Sequence, residues 1–130
     1  MPPHWKPDGY TSVAPYLIVD DAAAVVAFLH AAFDATELRR YELPDGSIMH
    51  AELQIDDSIV MLADGSDEYP PFPSLIHVYV EDVDRTYQRA LDTGATAVQE
   101  PAQQDRDPDK RGSVTDSAGN TWSIATQGSD

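Results

Sequence analysis

The sequence predicts an α+β fold of two tandem βαβββ modules within one domain spanning residues 1–130. Three observations predict it. The same order of elements, strand, helix, then three strands, is written twice along the chain. The two helical stretches carry apolar residues at helical spacing, while the stretches around them read as strands. Each module has one helix for four strands, so the helix covers only one sheet face and the other face must line something else.

The first module covers about residues 10–66. "SVAPYLIV" (12–19) alternates and reads as a strand. Asp20-Asp21 supplies a helix cap, and "AAAVVAFLHAAF" (22–33) places Val25, Val26, Phe28, Leu29, Ala32 and Phe33 on or near one stripe. Three strands follow: "TELRRYEL" (36–43), "SIMHAELQI" (47–55) and "SIVMLAD" (58–64), with Pro44-Asp45-Gly46 and Asp56-Asp57 as turns. A proline-rich linker at 67–73 separates this module from the second, at about 74–127. There "LIHVYVED" (75–82) is a strand ending in a capping aspartate, "VDRTYQRALDT" (83–93) a helix, and Gly94 its stop. "ATAVQEP" (95–101), "RGSVTD" (111–116) and "NTWSIAT" (120–126) complete the repeat.

Strand alternation assigns faces. Met49, Ala51, Leu53 and Ile55 belong under the helix, which leaves Ile48, His50, Glu52 and Gln54 on the open face. Leu17, Val19, Val60, Leu62, Ile76, Val78, Val80, Trp122 and Ile124 face the core. Tyr16, Ile59, Met61, Leu75, His77, Tyr79, Thr121 and Ser123 face the opening.

Composition narrows the function. Hydrophobic residues make up 42%, enough for a core. No apolar run approaches the roughly 18–20 residues of a membrane span, and "MPPHWKPDGY" lacks a signal pattern. Cysteine is absent, which removes disulfides, thiolate zinc sites and cysteine nucleophiles. The net charge of −15 repels phosphate backbones and anionic lipid, so neither nucleic acid nor a membrane is expected as a partner. A cytoplasmic location is expected. No phosphate loop or G-x-S-x-G elbow is present. Asp105-Arg106-Asp107-Pro108-Asp109 lacks the glycine and glutamate of a calcium loop and reads as a solvated loop.

The stretches "APYLIVDDAAAVVAF", "PDGSIMHAELQIDDSIVMLAD", "HVYVEDVDRTYQRALDTGAT" and "RGSVTDSAGNTWSIAT" together resemble the vicinal oxygen chelate superfamily of glyoxalases, extradiol dioxygenases and bleomycin-resistance proteins, and within it the PhnB-like branch. The resemblance covers nearly all of residues 12–126. It implies two sheets curled into a cleft, usually in a homodimer, and a small-molecule ligand. Metal-using members place one ligand on the first strand and one on the last strand of each module. Carried over, those positions fall on Ala14, Met61, Leu75 and Ser123. The first three have no hard donor and Ser123 alone is a poor ligand, so the usual metal site looks erased and no cofactor is expected. Gly119-Asn120 stands where this branch commonly has Gly-His.

Several cleft residues are candidates for chemistry. His50 and Glu52 lie two apart on one strand, roughly 6–7 Å between Cα atoms. With His77 they form a possible displaced His/Glu/His site for one divalent metal ion, which would make the protein a lyase, isomerase or dioxygenase. Alternatively His50 or His77 is a metal-free acid–base catalyst, or all three are hydrogen-bonding groups of a polar cleft. Tyr16, Tyr79 and Met61 give apolar walls with polar tips, suited to a planar ligand. Together the expected ligand-binding set is Tyr16, His50, Glu52, Met61, His77, Tyr79 and Ser123. Of Arg39 and Arg40, adjacent on one strand, only one can point into the cleft. His30 reads as a surface or packing residue, and His4 and Trp5 lie in the proline-rich terminus.

Overall fold

A computed structural model describes residues 5–128; His4 lies outside them. The element order is β1 (Tyr16–Val19), α1 (Ala22–Phe33), β2 (Thr36–Glu42), β3 (Ile48–Ile55), β4 (Ser58–Asp64), β5 (Leu75–Tyr79), α2 (Val83–Asp92), β6 (Thr96–Gln103), β7 (Asp109–Thr115) and β8 (Thr121–Gln127). The two expected βαβββ modules are therefore present. Each forms a four-stranded sheet, ordered β1-β4-β3-β2 and β5-β8-β7-β6. The first strand of each module pairs in parallel with the last, and the other pairs are antiparallel.

The helices start where the sequence caps them. Asp21 Oδ1 accepts from Ala24 N, and Asp82 Oδ1 accepts from Arg85 N. Each helix start is also tied to the last strand of its own module: Ala22 N donates to Asp64 Oδ1, and Val83 N donates to Thr126 Oγ1. Asp64 and Thr126 thus do the same job in the two halves, a repeat signature at the level of hydrogen bonds. Among the described residues no helix is long and apolar enough to cross a membrane.

One core serves both modules. Trp122 of β8, fully buried, lies 6.1 Å from the Phe28 ring and 5.4 Å from that of Phe33, both on α1. Arg89 of α2 clamps the end of α1, donating to both Asp34 carboxylate oxygens (2.7 and 3.1 Å) and to the Ala31 carbonyl (2.6 Å). The helices meet one another as well as their own sheets, so the modules are joined through their helical sides. The opposite face of each sheet carries no helix.

Three expectations about strands are corrected. β1 starts at Tyr16 rather than Ser12, because Pro15 has no N–H for the ladder and contributes only its carbonyl, to Met61 N at 2.9 Å. In β3, Ile48 is core at 1% exposure and Met49 is out at 54%, the reverse of strict alternation. The cause is a bulge: Tyr41 sits opposite His50 while Glu42 sits opposite Ile48, so Met49 is the extra residue and the face flips there. Ile59 does not line an open surface; it is fully buried, beside Pro15 and β5. Another irregularity lets Pro101 sit inside β6, an edge strand with register shifts on either side of Gln99. Opposite it Gly112 is required, since a Cβ there would stand 3.0 Å from Gln99 O and from Pro101 N.

The "DSAGNTW" turn is a buried hydrogen-bond bracket. Asp116 accepts from Ala118 N (2.9 Å), Asn120 N (3.0 Å), Asn120 Nδ2 (3.0 Å) and Trp122 Nε1 (2.9 Å). Asn120 Oδ1 in turn accepts from Ser74 N at 2.9 Å and fixes the start of β5. Asn120 therefore has a structural task, tying the turn to the start of the second sheet.

Candidate functional site

Register brings the site residues of the first sheet into rows. Arg39, Glu52, Met61 and Tyr16 are successive partners across β2, β3, β4 and β1, and Tyr41 stands opposite His50. On this helix-free face the side chains form one continuous chain. Tyr16 Oη lies 2.8 Å from His50 Nδ1, reaching across β4. His50 Nε2 lies 2.8 Å from Glu52 Oε2. Tyr10, from the segment before β1, donates to the other Glu52 oxygen. Arg39 adds a longer ion pair, Nε to Oε1 at 3.7 Å, and its guanidinium stands 5.8 Å from the Tyr10 ring. The Tyr16 and Tyr41 rings flank the His50 ring at 5.5 and 6.3 Å, the latter stacked.

Glu52 is 5% exposed, so it is a buried carboxylate rather than a solvated one. Burial pushes its carboxyl up, but hydrogen bonds from His50 and Tyr10 and the charge of Arg39 together outweigh this and hold it below the ordinary value. Donating to this carboxylate raises the Tyr10 phenol, while burial, aided by the Glu52 charge, raises Tyr16. A carboxylate accepts only, so His50 Nε2 carries a hydrogen, and in the singly protonated ring Nδ1 is left as an acceptor for the Tyr16 hydroxyl.

The second sheet has its own network. His77 Nδ1 lies 3.0 Å from Ser123 Oγ, its partner in register, and the His77 ring packs edge-on against Tyr79 at 4.8 Å. Tyr79 Oη donates to buried Asp109 Oδ2 at 2.6 Å, which raises the Tyr79 phenol. Arg111 holds Asp107 through two bonds of 2.8 and 3.2 Å and touches Asp109 at 3.4 Å; its guanidinium keeps the Asp107 carboxyl low.

Several sequence expectations are thereby sorted. Tyr16, His50, Glu52 and Met61 share one face, and His77, Tyr79 and Ser123 share the other sheet's face. Among the described residues no hydrogen bond or ion pair joins the two networks. Of the expected displaced His50/Glu52/His77 set, His50 and Glu52 lie on the first sheet and His77 on the second, and among the described residues no three His, Cys, Asp or Glu side chains are placed to hold one ion. The four carried-over positions do not fit a metal either, since Ala14, Met61 and Leu75 have no hard donor and Ser123 is engaged by His77. Register sets Met61 beside Tyr16 and Ser123 beside His77, not beside Ala14 and Leu75. The 105–109 stretch is not simply solvated, since Asp109 begins β7 buried beneath Tyr79. Of the paired arginines, Arg39 takes the site face, while Arg40 bonds Glu37 and Glu42. His30 is exposed at the surface, its Nδ1 3.1 Å from the Ala35 carbonyl. The sequence reading missed Tyr10, Tyr41, Asp109 and Arg111. For the last two, the i, i+2 spacing of Asp109 and Arg111 was the available signal.

A family model described as "Glyoxalase/Bleomycin resistance protein/Dioxygenase superfamily" matches residues 9–124. An uncharacterised protein of Mycobacterium bovis is 42% identical over 125 aligned residues, covering 87% of this chain and 81% of that one. An uncharacterised protein of Mycobacterium tuberculosis is equally similar, with 72% of its length covered. Among solved structures, TioX from Micromonospora sp. ML1 superposes with a TM-score of 0.76 at 24% identity, covering 90% of this chain and 98% of that one. TnmS3, an antibiotic binding protein from Streptomyces sp. CB03234, superposes with a TM-score of 0.69 at 15% identity over 91% and 99% of the two chains. At these identities the structural likenesses speak to the fold.

Proposed function

The chain belongs to the glyoxalase/bleomycin resistance protein/dioxygenase superfamily, and from that premise we propose that it binds a small planar organic molecule on the helix-free sheet faces without a metal ion. The observation that carries this reading is the Tyr16–His50–Glu52–Tyr10 chain. It is a preformed polar cluster, its carboxylate buried and satisfied, flanked by aromatic rings on an otherwise helix-free face. Tyr16, Met61 and Tyr79 supply walls; His50, Glu52, His77 and Ser123 orient polar groups of the ligand. One structural neighbour is called an antibiotic binding protein, which agrees with binding by occupancy. We place the chain in the PhnB-like branch on its "MHAEL" and "RGSVTDSAG" strings, and in the cytoplasm.

In this reading the protein works as a homodimer. The helix-free faces leave Leu75 at 74% exposure and also expose Tyr79, Tyr41 and Met49, which a second copy would cover. Light scattering coupled to size exclusion tests this: a mass near twice 14.2 kDa is expected, and a monomer at all concentrations refutes it.

Ligand binding is tested by thermal unfolding against planar aromatic compounds. A ligand at tenfold over its Kd stabilises by about 1.4 kcal/mol, which is roughly 5 °C for a domain of this size. Midpoint rises that shrink in His50→Ala and Tyr16→Phe support the reading. Rises that are unchanged in both variants locate the ligand elsewhere and refute it.

A further inference from the structure

The hydrogen bonds of the first sheet run in one direction, and that direction selects the ligand. We propose that Tyr16 Oη is a fixed acceptor toward the ligand, so that the site takes a planar molecule presenting a hydroxyl or N–H donor and discriminates against its acceptor-only analogue. This deepens the reading above and rests on it.

The argument starts at the buried end. Glu52 is ionised and can only accept, and both of its oxygens are engaged, one by Tyr10 and one by His50 Nε2 at 2.8 Å. In the neutral imidazole, whose single hydrogen must face the carboxylate, that hydrogen sits on Nε2. Nδ1 is then an acceptor, and the only hydrogen available for the 2.8 Å contact with Tyr16 is the phenol's own. Tyr16 therefore spends its hydrogen inward and has only lone pairs to offer outward. An acceptor-only ligand would have to pull that hydrogen away from Nδ1 and leave a ring nitrogen unpaired between Tyr16 and Tyr41. A donor ligand meets no such cost, because it adds a bond to a chain already formed and polarised.

The groups around the chain support one direction. Arg39, 3.7 Å from Glu52, and the Tyr10 hydroxyl both favour the ionised carboxylate from β2 and from the N-terminal segment. Tyr41, the cross-strand partner of His50, stacks on its ring. Met61 between Tyr16 and Glu52 offers no competing polar hydrogen. The second sheet lacks this property. Its His77 faces Ser123 at 3.0 Å, and a serine hydroxyl both donates and accepts, so nothing sets the direction there.

Indole and benzofuran test the inference, being planar rings of one shape of which only indole carries an N–H. Calorimetric titration of the full chain should show indole binding about three- to tenfold tighter than benzofuran. Tyr16→Phe, which keeps the ring, should make the two equal. Glu52→Gln should also erase the preference, because an amide can donate to Nε2 and reverse the chain. Circular dichroism and the thermal midpoint establish that each variant is folded, and Tyr16→Phe alone decides the matter if Glu52→Gln is not. Equal binding of the two rings by the unaltered protein, or a preference that survives Tyr16→Phe, overturns the donor rule while leaving planar-ligand binding intact. Binding of neither ring at millimolar concentration overturns both.

Discussion

Replacing Asp116 with alanine removes one carboxylate that satisfies donors of three residues. Asn120 and Trp122 are both at 0% exposure, so water does not replace the lost acceptor for the Asn120 backbone and amide or for the indole nitrogen. Ala118 is only partly buried, and its N–H can turn to solvent. A buried donor left unpaired costs about 1–3 kcal/mol, and three orphaned donors, each toward the lower end of that range, give a loss of about 4 kcal/mol. That is a large part of a typical stability of about 5–15 kcal/mol, and corresponds to roughly 15 °C in midpoint. Urea unfolding followed by tryptophan fluorescence measures it, with the midpoint falling and the slope unchanged. Ser117→Ala, one residue along and exposed, is the control and should stay within about 0.5 kcal/mol. A loss below about 1 kcal/mol in Asp116→Ala would refute the bracket and reopen a functional role for the "DSAGN" turn.

Further outcomes follow from the register and the charges. Ile48→Ala should cost about 2–4 kcal/mol and Met49→Ala under about 1, because the bulge puts Ile48 inside; the reverse order in urea unfolding would deny the bulge. The Glu52 carboxyl is lower in the folded chain than its ordinary value of 4.5, so its contribution is present above that pH and lost as pH falls through the folded value; Glu52→Gln should flatten the acid side of the stability–pH curve, and an unaltered curve would contradict this. Arg89→Ala should cost only about 1 kcal/mol, since the Arg89–Asp34 pair is largely exposed, and a loss above about 3 in urea unfolding would mean the helix clamp is more than a surface pair.

The architecture was legible because it repeats. Helix caps at Asp21 and Asp82, the stop at Gly94 and the strand order all follow from local chemistry that the sequence states outright. The errors fall where geometry depends on a partner strand. Nothing within "SIMHAEL" announces that Met49 is the extra residue, because a bulge is a property of two strands. Burial of Asp109 depends on Tyr79, 30 residues earlier. The site was half legible: alternation put His50, Glu52 and Tyr16 on one side, but it could not say that a tyrosine on β1 reaches a histidine on β3, nor that Tyr10 closes the chain from outside the sheet. The grouping of His50 and Glu52 with His77 was not legible for the same reason, since face assignments within each module do not fix how two sheets are set against each other.

The claim that this cleft works without a metal is tested most directly by thermal unfolding of chelator-stripped protein, alone and with Zn²⁺, Mn²⁺, Fe²⁺ or Ni²⁺. A site in the folded state would raise the midpoint by several degrees through binding linkage. The account predicts the same midpoint in all five samples, for the native chain and for His50→Ala alike. A rise of several degrees with one of these ions that disappears in His50→Ala would contradict it and make His50 a metal ligand.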